Sequence, residues 1–217
     1  MCVKLRNWEI KTCGTLDYKE IEEEKRLWNE KAETIKDDVE LRGSLKNPLA
    51  QLQKSRSQIH KFFQKSKNNR FLLDVGCGNG LFTVPMTEIF NFVVGIDISK
   101  AMIKRCREKR NNLDFIVASA TNLPLKSNAF DAVLSLSLLQ HLRTKQNVKK
   151  TLKEISRTAT NGALIFLTFW DTHNSPTNFV KKTLKREKYK LHQSLVSKFQ
   201  FTGLQFTKYV KLKGYKY

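Results

Sequence analysis

The stretch FLLDVGCGNG, residues 71 to 80, decides how the chain is read. Phe71, Leu72, Leu73 and Val75 bracket Asp74. A short apolar run bounded by a turn reads as a buried central strand, parallel to its neighbours because both of its faces must be covered. Gly76, Gly78 and Gly80 then follow at every second position. Without a Cβ, each can take positive φ or let a ligand lie against bare backbone, and the amides that open the next helix are left pointing outward. The stretch predicts a small-molecule cradle.

Spacing narrows the ligand. A dinucleotide fingerprint, G-x-G-x-x-G, would place its third glycine at position 81, which here is Leu81. Asp74 stands just before the turn, where its charge repels a pyrophosphate and welcomes the ammonium of an amino acid. About one strand-helix-strand unit downstream comes NFVVGID, residues 91 to 97, a second apolar run ending in a carboxylate. A carboxylate at the tip of the neighbouring strand is placed to accept from both ribose hydroxyls. A ribose beside a cationic amino acid is what S-adenosylmethionine presents.

With these residues in view, the chain resembles the class I S-adenosylmethionine-dependent methyltransferases. The resemblance is carried by DVGCGNG (74 to 80), GIDIS (95 to 99), NLPLKSNAFDAVLSLSLLQHL (122 to 142) and NGALIFLTFW (161 to 170). It implies an α/β fold with a doubly wound, seven-stranded, mostly parallel Rossmann-like sheet in residues 69–217, preceded by an N-terminal helical extension in residues 1–68. It also implies S-adenosyl-L-methionine as cofactor.

The chain of 217 residues is long enough for one α/β domain with a short addition. Cys2, Cys13, Cys77 and Cys106 show neither CxxC spacing nor a nearby histidine pair, so neither a zinc site nor a disulfide framework is indicated, and reduced thiols in a cytoplasmic setting are expected. No run reaches the ~20 apolar residues of a membrane span. Net charge is +20, and its distribution matters more than its size. Residues 41–70 hold 8 basic and 0 acidic side chains, and residues 171–217 hold 11 and 2. Segregated basic blocks flanking a core suggest a polyanionic partner, RNA, held through blocks 41–70 and 171–217.

Along the chain, apolar positions from Thr15 to about Lys36 predict an amphipathic helix covering the cofactor end of the sheet. PLAQLQKSRSQIHKFFQK predicts a second, basic helix with Leu49, Leu52, Ile59, Phe62 and Phe63 on one face. LFTVPMTEIF is expected as the first helix of the core, with Pro85 in its first turn, and Ser99 as the cap of the helix that follows. DFIVASA, 114 to 120, reads as the third strand and AVLSLSLL as the fourth. Asn161-Gly162 reads as the turn into a fifth, ALIFLTFW. FVKKTLKREKYKLHQ reads as a basic helix, and LVSKFQF and LQFTKYVKLKGYKY as the last strands.

The expected cofactor contacts are Asp74, Gly76, Cys77 and Gly78 around the methionine part and Asp97 on the ribose. Ile98 faces the adenine or joins the core, Ser119, Ala120 and Thr121 lie at the adenine, and Leu136 lies at the sulfonium. Many relatives have an acid where this chain has Ser119; a hydroxyl accepts too, as a weaker partner. Gln140, His141, Arg143 and Trp170 are the catalytic candidates that shape the acceptor pocket. His141 reads equally as a locally packed helix-start residue, and no partner stands at metal spacing. Within the superfamily the chain is similar to the transfer RNA methyltransferases that esterify a carboxymethyl group on wobble uridine. That group has a His-His pair where this chain has Gln140-His141. The resemblance implies a tRNA substrate and a small zinc-binding activator protein as partner. A small-molecule methyltransferase and a non-catalytic RNA-binding module of the same fold are the alternatives.

Overall fold

The computed structural model describes residues 18–35, 48–64, 69–110, 113–142, 144–168, 190–199 and 205–213. β1 (Phe71–Val75), β2 (Phe92–Asp97), β3 (Asp114–Val117), β4 (Phe130–Leu136) and β5 (Ala159–Thr168) pair in parallel. β6 (Lys190–Phe199) and β7 (Gln205–Lys213) extend the sheet, β7 running antiparallel to both β5 and β6. The strand order is β3-β2-β1-β4-β5-β7-β6. The order reverses between β1 and β4, and in open α/β sheets the crevice at such a reversal, outside the carboxyl ends of the strands, is where ligands bind.

Alternation along β1 explains why apolar residues stand on both of its faces. Leu72 joins one core with Val93, Ala132 and Phe166, under the helix α2 (Pro48–Phe63). Leu73 and Val75 join the other with Ile96, Val133 and Ile165, under the helix α4 (Lys145–Thr158). Leu52, Ile59 and Phe63 of α2 are buried as its periodicity predicts, and the side chain of Leu49 lies outside the described residues. Fully burying a side chain such as Phe63 or Leu152 contributes about 1.5–3 kcal/mol.

Several local expectations are corrected. Residues 81–90 form no α-helix but a turn and a 3-10 segment, Val84–Glu88. The Val84 N–H reaches the Gly80 carbonyl at 3.0 Å, the first bond of a helix. The next would need an N–H from Pro85, which has none. The Leu81 carbonyl that would accept it takes a bond from Arg56 Nη2 at 2.9 Å instead. β3 stops at Val117, so Ser119 to Thr121 form a loop. Asn161-Gly162 is not a turn before β5 but an irregularity within it: Phe130 pairs with Ala159 and Ala132 with Leu164. Lys190 to Gln193 belong to β6 and not to a helix.

The N-terminal helix α1 (Tyr18–Thr34) lies across the carboxyl end of the sheet. It touches α3 (Lys100–Lys109) through Asn29, whose Oδ1 accepts from Ser99 Oγ at 2.7 Å and from the Ala101 N–H at 3.1 Å. On its other flank Trp28 meets the ring of His141 edge-on at 4.8 Å, and Glu20 accepts from Asn147 Nδ2 at 3.2 Å. Among the described residues, no helix is long and apolar enough to cross a membrane.

Candidate active site

The glycine turn is shaped by what its amides do. Gly76, Gly78 and Gly80 all take positive φ, 77°, 54° and 75°. The N–H groups of Gly76 and Cys77 both donate to the Ile96 carbonyl, at 2.8 and 2.9 Å, and Gly80 N–H donates to the Cys77 carbonyl at 3.0 Å. Gly78 N–H donates to Asp97 Oδ2 at 2.9 Å. These four donors therefore point into the fold, not outward as their sequence suggests. What the turn offers a ligand is close approach: a Cβ on Gly78 would meet nothing within 4 Å, an open space facing the crevice.

Charge around the turn is negative. Asp74 is buried, and its Oδ2 accepts from Thr83 Oγ1 at 2.6 Å, which ties the start of the turn to its end. Asp97 Oδ1 accepts from the Ser99 N–H at 2.9 Å. Burial pushes the Asp97 carboxyl above the usual range, against the lowering effect of the amides of Ser99, Gly78 and Ile98. Each carboxylate oxygen still has acceptor capacity for a hydroxyl. The same charges are felt by the Cys77 thiol, raised first by its burial, then by its bond to Cys106, then by the field of Asp97, with a smaller part from Asp74. Cys77's side chain packs with Cys106, Ile103 and Phe115, so only its backbone lies on the turn.

The neighbouring positions fall along the same edge. Ile98 is half-buried directly after Asp97. Ser119 Oγ and Thr121 Oγ1 are 2.9 Å apart, and Ser119 Oγ also takes the Thr121 N–H at 3.3 Å, so this hydroxyl is engaged within its own loop, with Ala120 between them. Leu136 ends β4 opposite Thr168 of β5. The next residue, Ser137, takes φ 55°, a left-handed kink that L side chains rarely adopt, and its N–H is held by the Thr168 carbonyl at 3.0 Å and Oγ1 at 2.9 Å. The kink turns Leu138 onto the glycine turn, where a Cβ on Gly76 would lie 3.1 Å from Leu138 Cδ1.

Beyond the kink, Gln140 and His141 occupy a 3-10 turn, Leu139–His141. Both amide atoms of Gln140 are buried and have no hydrogen-bond partner among the described residues. A buried polar group left unpaired costs about 1–3 kcal/mol, so this amide is open to a partner that the described residues do not supply. His141 keeps an exposed edge while its ring packs on Trp28, whose face carries Lys31 Nζ at 4.6 Å. Desolvation, then the Lys31 charge, push the imidazole down to about 4, so it is neutral at pH 7. Among the described residues no cluster of His, Cys, Asp or Glu is arranged to hold a metal ion. Arg143 and Trp170 lie outside the described residues.

Residues 73–167, the span from β1 to β5 that carries this geometry, match the methyltransferase-domain family. That span is similar to a methyltransferase domain. Over 125 residues the chain is 31% identical to the tRNA (carboxymethyluridine(34)-5-O)-methyltransferase of Arabidopsis thaliana, covering 58% of this chain and 30% of that protein. To the probable tRNA methyltransferase 9B of Homo sapiens it is 25% identical over 125 residues, covering 58% and 27%. The chain thus spans less than a third of the length of these relatives. Among solved structures, it is similar to magnesium protoporphyrin IX methyltransferase from Synechocystis with bound SAM at a TM-score of 0.68, 17% identity, covering 92% of this chain and 100% of that one. It is similar to phosphoethanolamine N-methyltransferase 1 of Haemonchus contortus at 0.64, 18% identity, covering 73% and 34%. At these identities the two structures establish the fold.

Sequence reasoning missed three supports of this site. Thr83 acts across the turn on Asp74, Asn29 on a partner 70 residues along the chain and Ser137 through a backbone angle, and only the capping role of Ser99 carried a local signal. The Ser99 cap is present, its Oγ accepting from the Met102 N–H at 3.1 Å.

Proposed function

We propose that this chain is an S-adenosylmethionine-dependent methyltransferase acting on RNA, with a transfer RNA carrying a modified wobble uridine as the substrate that its relatives suggest. The observation that carries the cofactor reading is the inward-turned set of amides beneath an open Gly78, with Asp97 beside it. A diphosphate needs outward N–H groups, and meets here a buried acid and a second carboxylate. A sulfonium amino acid joined to a ribose needs close backbone approach, an anionic surround and an acceptor for hydroxyls.

Asp97 would hold the ribose, and the surface over Gly76 and Gly78 the methionine part. When bound, the cofactor supplies an activated methyl group for in-line displacement at carbon. The chain's own residues position the acceptor and exclude water, and α1 closes the carboxyl edge above them. If the acceptor is a carboxylate, no general base is needed, which suits a His141 that is neutral and packed on Trp28. The RNA half of the reading is supported by the basic blocks and by the names of the curated relatives. A small zinc-binding activator, implied by the resemblance alone, belongs to the same proposal and is tested by adding such a subunit to the assay.

Incubation with methyl-labelled S-adenosylmethionine and total RNA, followed by digestion to nucleosides, tests the reading. Label is expected in a modified uridine of the tRNA fraction. Label confined to small metabolites overturns the RNA substrate, and absence of cofactor binding by calorimetry overturns the methyltransferase reading itself.

A further inference from the structure

α4 starts with its charges set against its own dipole. Its first turn contains no acid, and Lys145, Lys149 and Lys153 stand exposed at intervals of four residues, one side of the helix from its first residue onward. Cations near a helix N-terminus are electrostatically unfavourable. No hydrogen bond or ion pair among the described residues engages any of the three.

Lys100 and Lys104 of α3 are exposed as well, but α3 follows β2, which β1 separates from β4, and other basic side chains have work inside the fold. On α3, Arg105 donates to the Ile35 carbonyl, Arg107 to the Phe115 carbonyl at 2.7 Å and Lys109 to the Asn79 carbonyl at 2.8 Å. On α2, Arg56 holds the Leu81 carbonyl. The outer side of α1 carries Glu22, Glu23, Glu30 and Glu33 with only Lys25 and Arg26 to balance them, so it turns a polyanion away. Among the described residues, the exposed and unengaged row of cations that follows the end of β4 is therefore on α4, whose cap Thr144 lies three residues past His141.

We propose that Lys145, Lys149 and Lys153 form the track that guides the phosphodiester backbone of an RNA acceptor to the pocket at Gln140. The inference rests on the RNA-methyltransferase reading and adds a surface outside the basic blocks 41–70 and 171–217. Four helical residues rise about 6 Å, so the track spans roughly 12 Å, room for a few consecutive phosphates. Each lysine that neutralises a phosphate releases counterion, which gives the track a thermodynamic signature.

The test is anisotropy titration of dye-labelled, unfractionated tRNA across a salt series, on the full chain carrying Lys145→Gln, Lys149→Gln and Lys153→Gln together. Glutamine keeps the helix propensity. The control carries Lys100→Gln, Lys104→Gln and Arg110→Gln, an equal change in net charge placed at α3, outside both basic blocks. The α4 triple is expected to lower the slope of log affinity against log salt by about 1 per lysine, roughly 3 in all, and the control by much less. Calorimetric binding of S-adenosylmethionine should be unchanged in both, which certifies the fold. Equal slopes for the wild type and the α4 triple, or an equal fall in the control, overturn the track and leave the RNA reading standing. A wild type whose tRNA binding ignores salt overturns both.

Discussion

The carboxylate of Asp97 holds the backbone of Gly78: Oδ2 takes the Gly78 N–H at 2.9 Å while Oδ1 takes the N–H of Ser99 at the same distance. One side chain thus fixes both the glycine turn and the start of α3, and any ribose it receives is bound to a group already locked in place.

Asp97→Asn is the direct probe of that arrangement. The amide can accept only one of the two N–H groups and turns its own NH2 toward the other, so a charge-assisted bond worth about 1.5–3 kcal/mol is lost. Thermal denaturation should show Tm falling by roughly 3–12 °C for a chain of this size. Calorimetry should show S-adenosylmethionine affinity weakened by tenfold or more, since 1.4 kcal/mol is about a factor of 10. Unchanged affinity would remove Asp97 from the site.

Gly78 and Gly80 separate fold from function. Both have positive φ, where an alanine costs about 1–2 kcal/mol. A Cβ at Gly80 would additionally lie 3.1 Å from Cys106 Sγ, whereas one at Gly78 enters open space. Gly80→Ala should therefore lower Tm more than Gly78→Ala. Gly78→Ala should be the variant that loses cofactor binding out of proportion to its stability, because its methyl group occupies the ligand's space.

Gln140 should behave as a group held at the expense of the free protein. Replacing its buried amide, unpaired among the described residues, by the similar-sized methionine removes an unmet desolvation penalty, so the Tm of the ligand-free Gln140→Met chain should stay level or rise by a few degrees. Methyl transfer to RNA should fall about tenfold or more while cofactor affinity holds. A fall in ligand-free Tm would mean that the amide has a structural partner, and would remove it from the acceptor pocket.

His141 predicts the acid limb of stability. Its folded pKa is lowered from 6.5, so the unfolded chain binds its proton first as pH drops. The stability linked to this group is intact above 6.5, declines as pH falls below 6.5 and is fully lost at about 4. Following Tm from pH 8 to 4, with His141→Gln as reference, isolates it: the variant should show a shallower decline across that window, and parallel curves would refute the shift.

How much of this was legible in the sequence depends on how far each interaction reaches. The strand before the turn, the three glycines and the acid at the end of β2 are written locally, as an apolar run, a turn signal and a carboxylate at a fixed distance. Pro85 was readable as a constraint, yet its effect depended on Arg56 from α2 taking the carbonyl it left open. The inward direction of the amides followed from the Ile96 carbonyl, which belongs to the next strand. Asn29 reaches Ser99 across 70 residues of chain, a pairing no periodicity encodes. The orphaned amide of Gln140 is visible only as burial, which residue type and spacing do not state.

The inward amides have an evolutionary corollary. Nucleotides with several phosphates are abundant competitors for any glycine turn, and many proteins discriminate against them with a side chain that one substitution can erase. Here three of the four amides are committed to the main-chain carbonyls of Ile96 and Cys77, and only that of Gly78 depends on a side chain, Asp97. On the function proposed above, changing a residue on the rim would leave those commitments intact, so drift toward new acceptors could proceed at Gln140 without loosening the choice of cofactor.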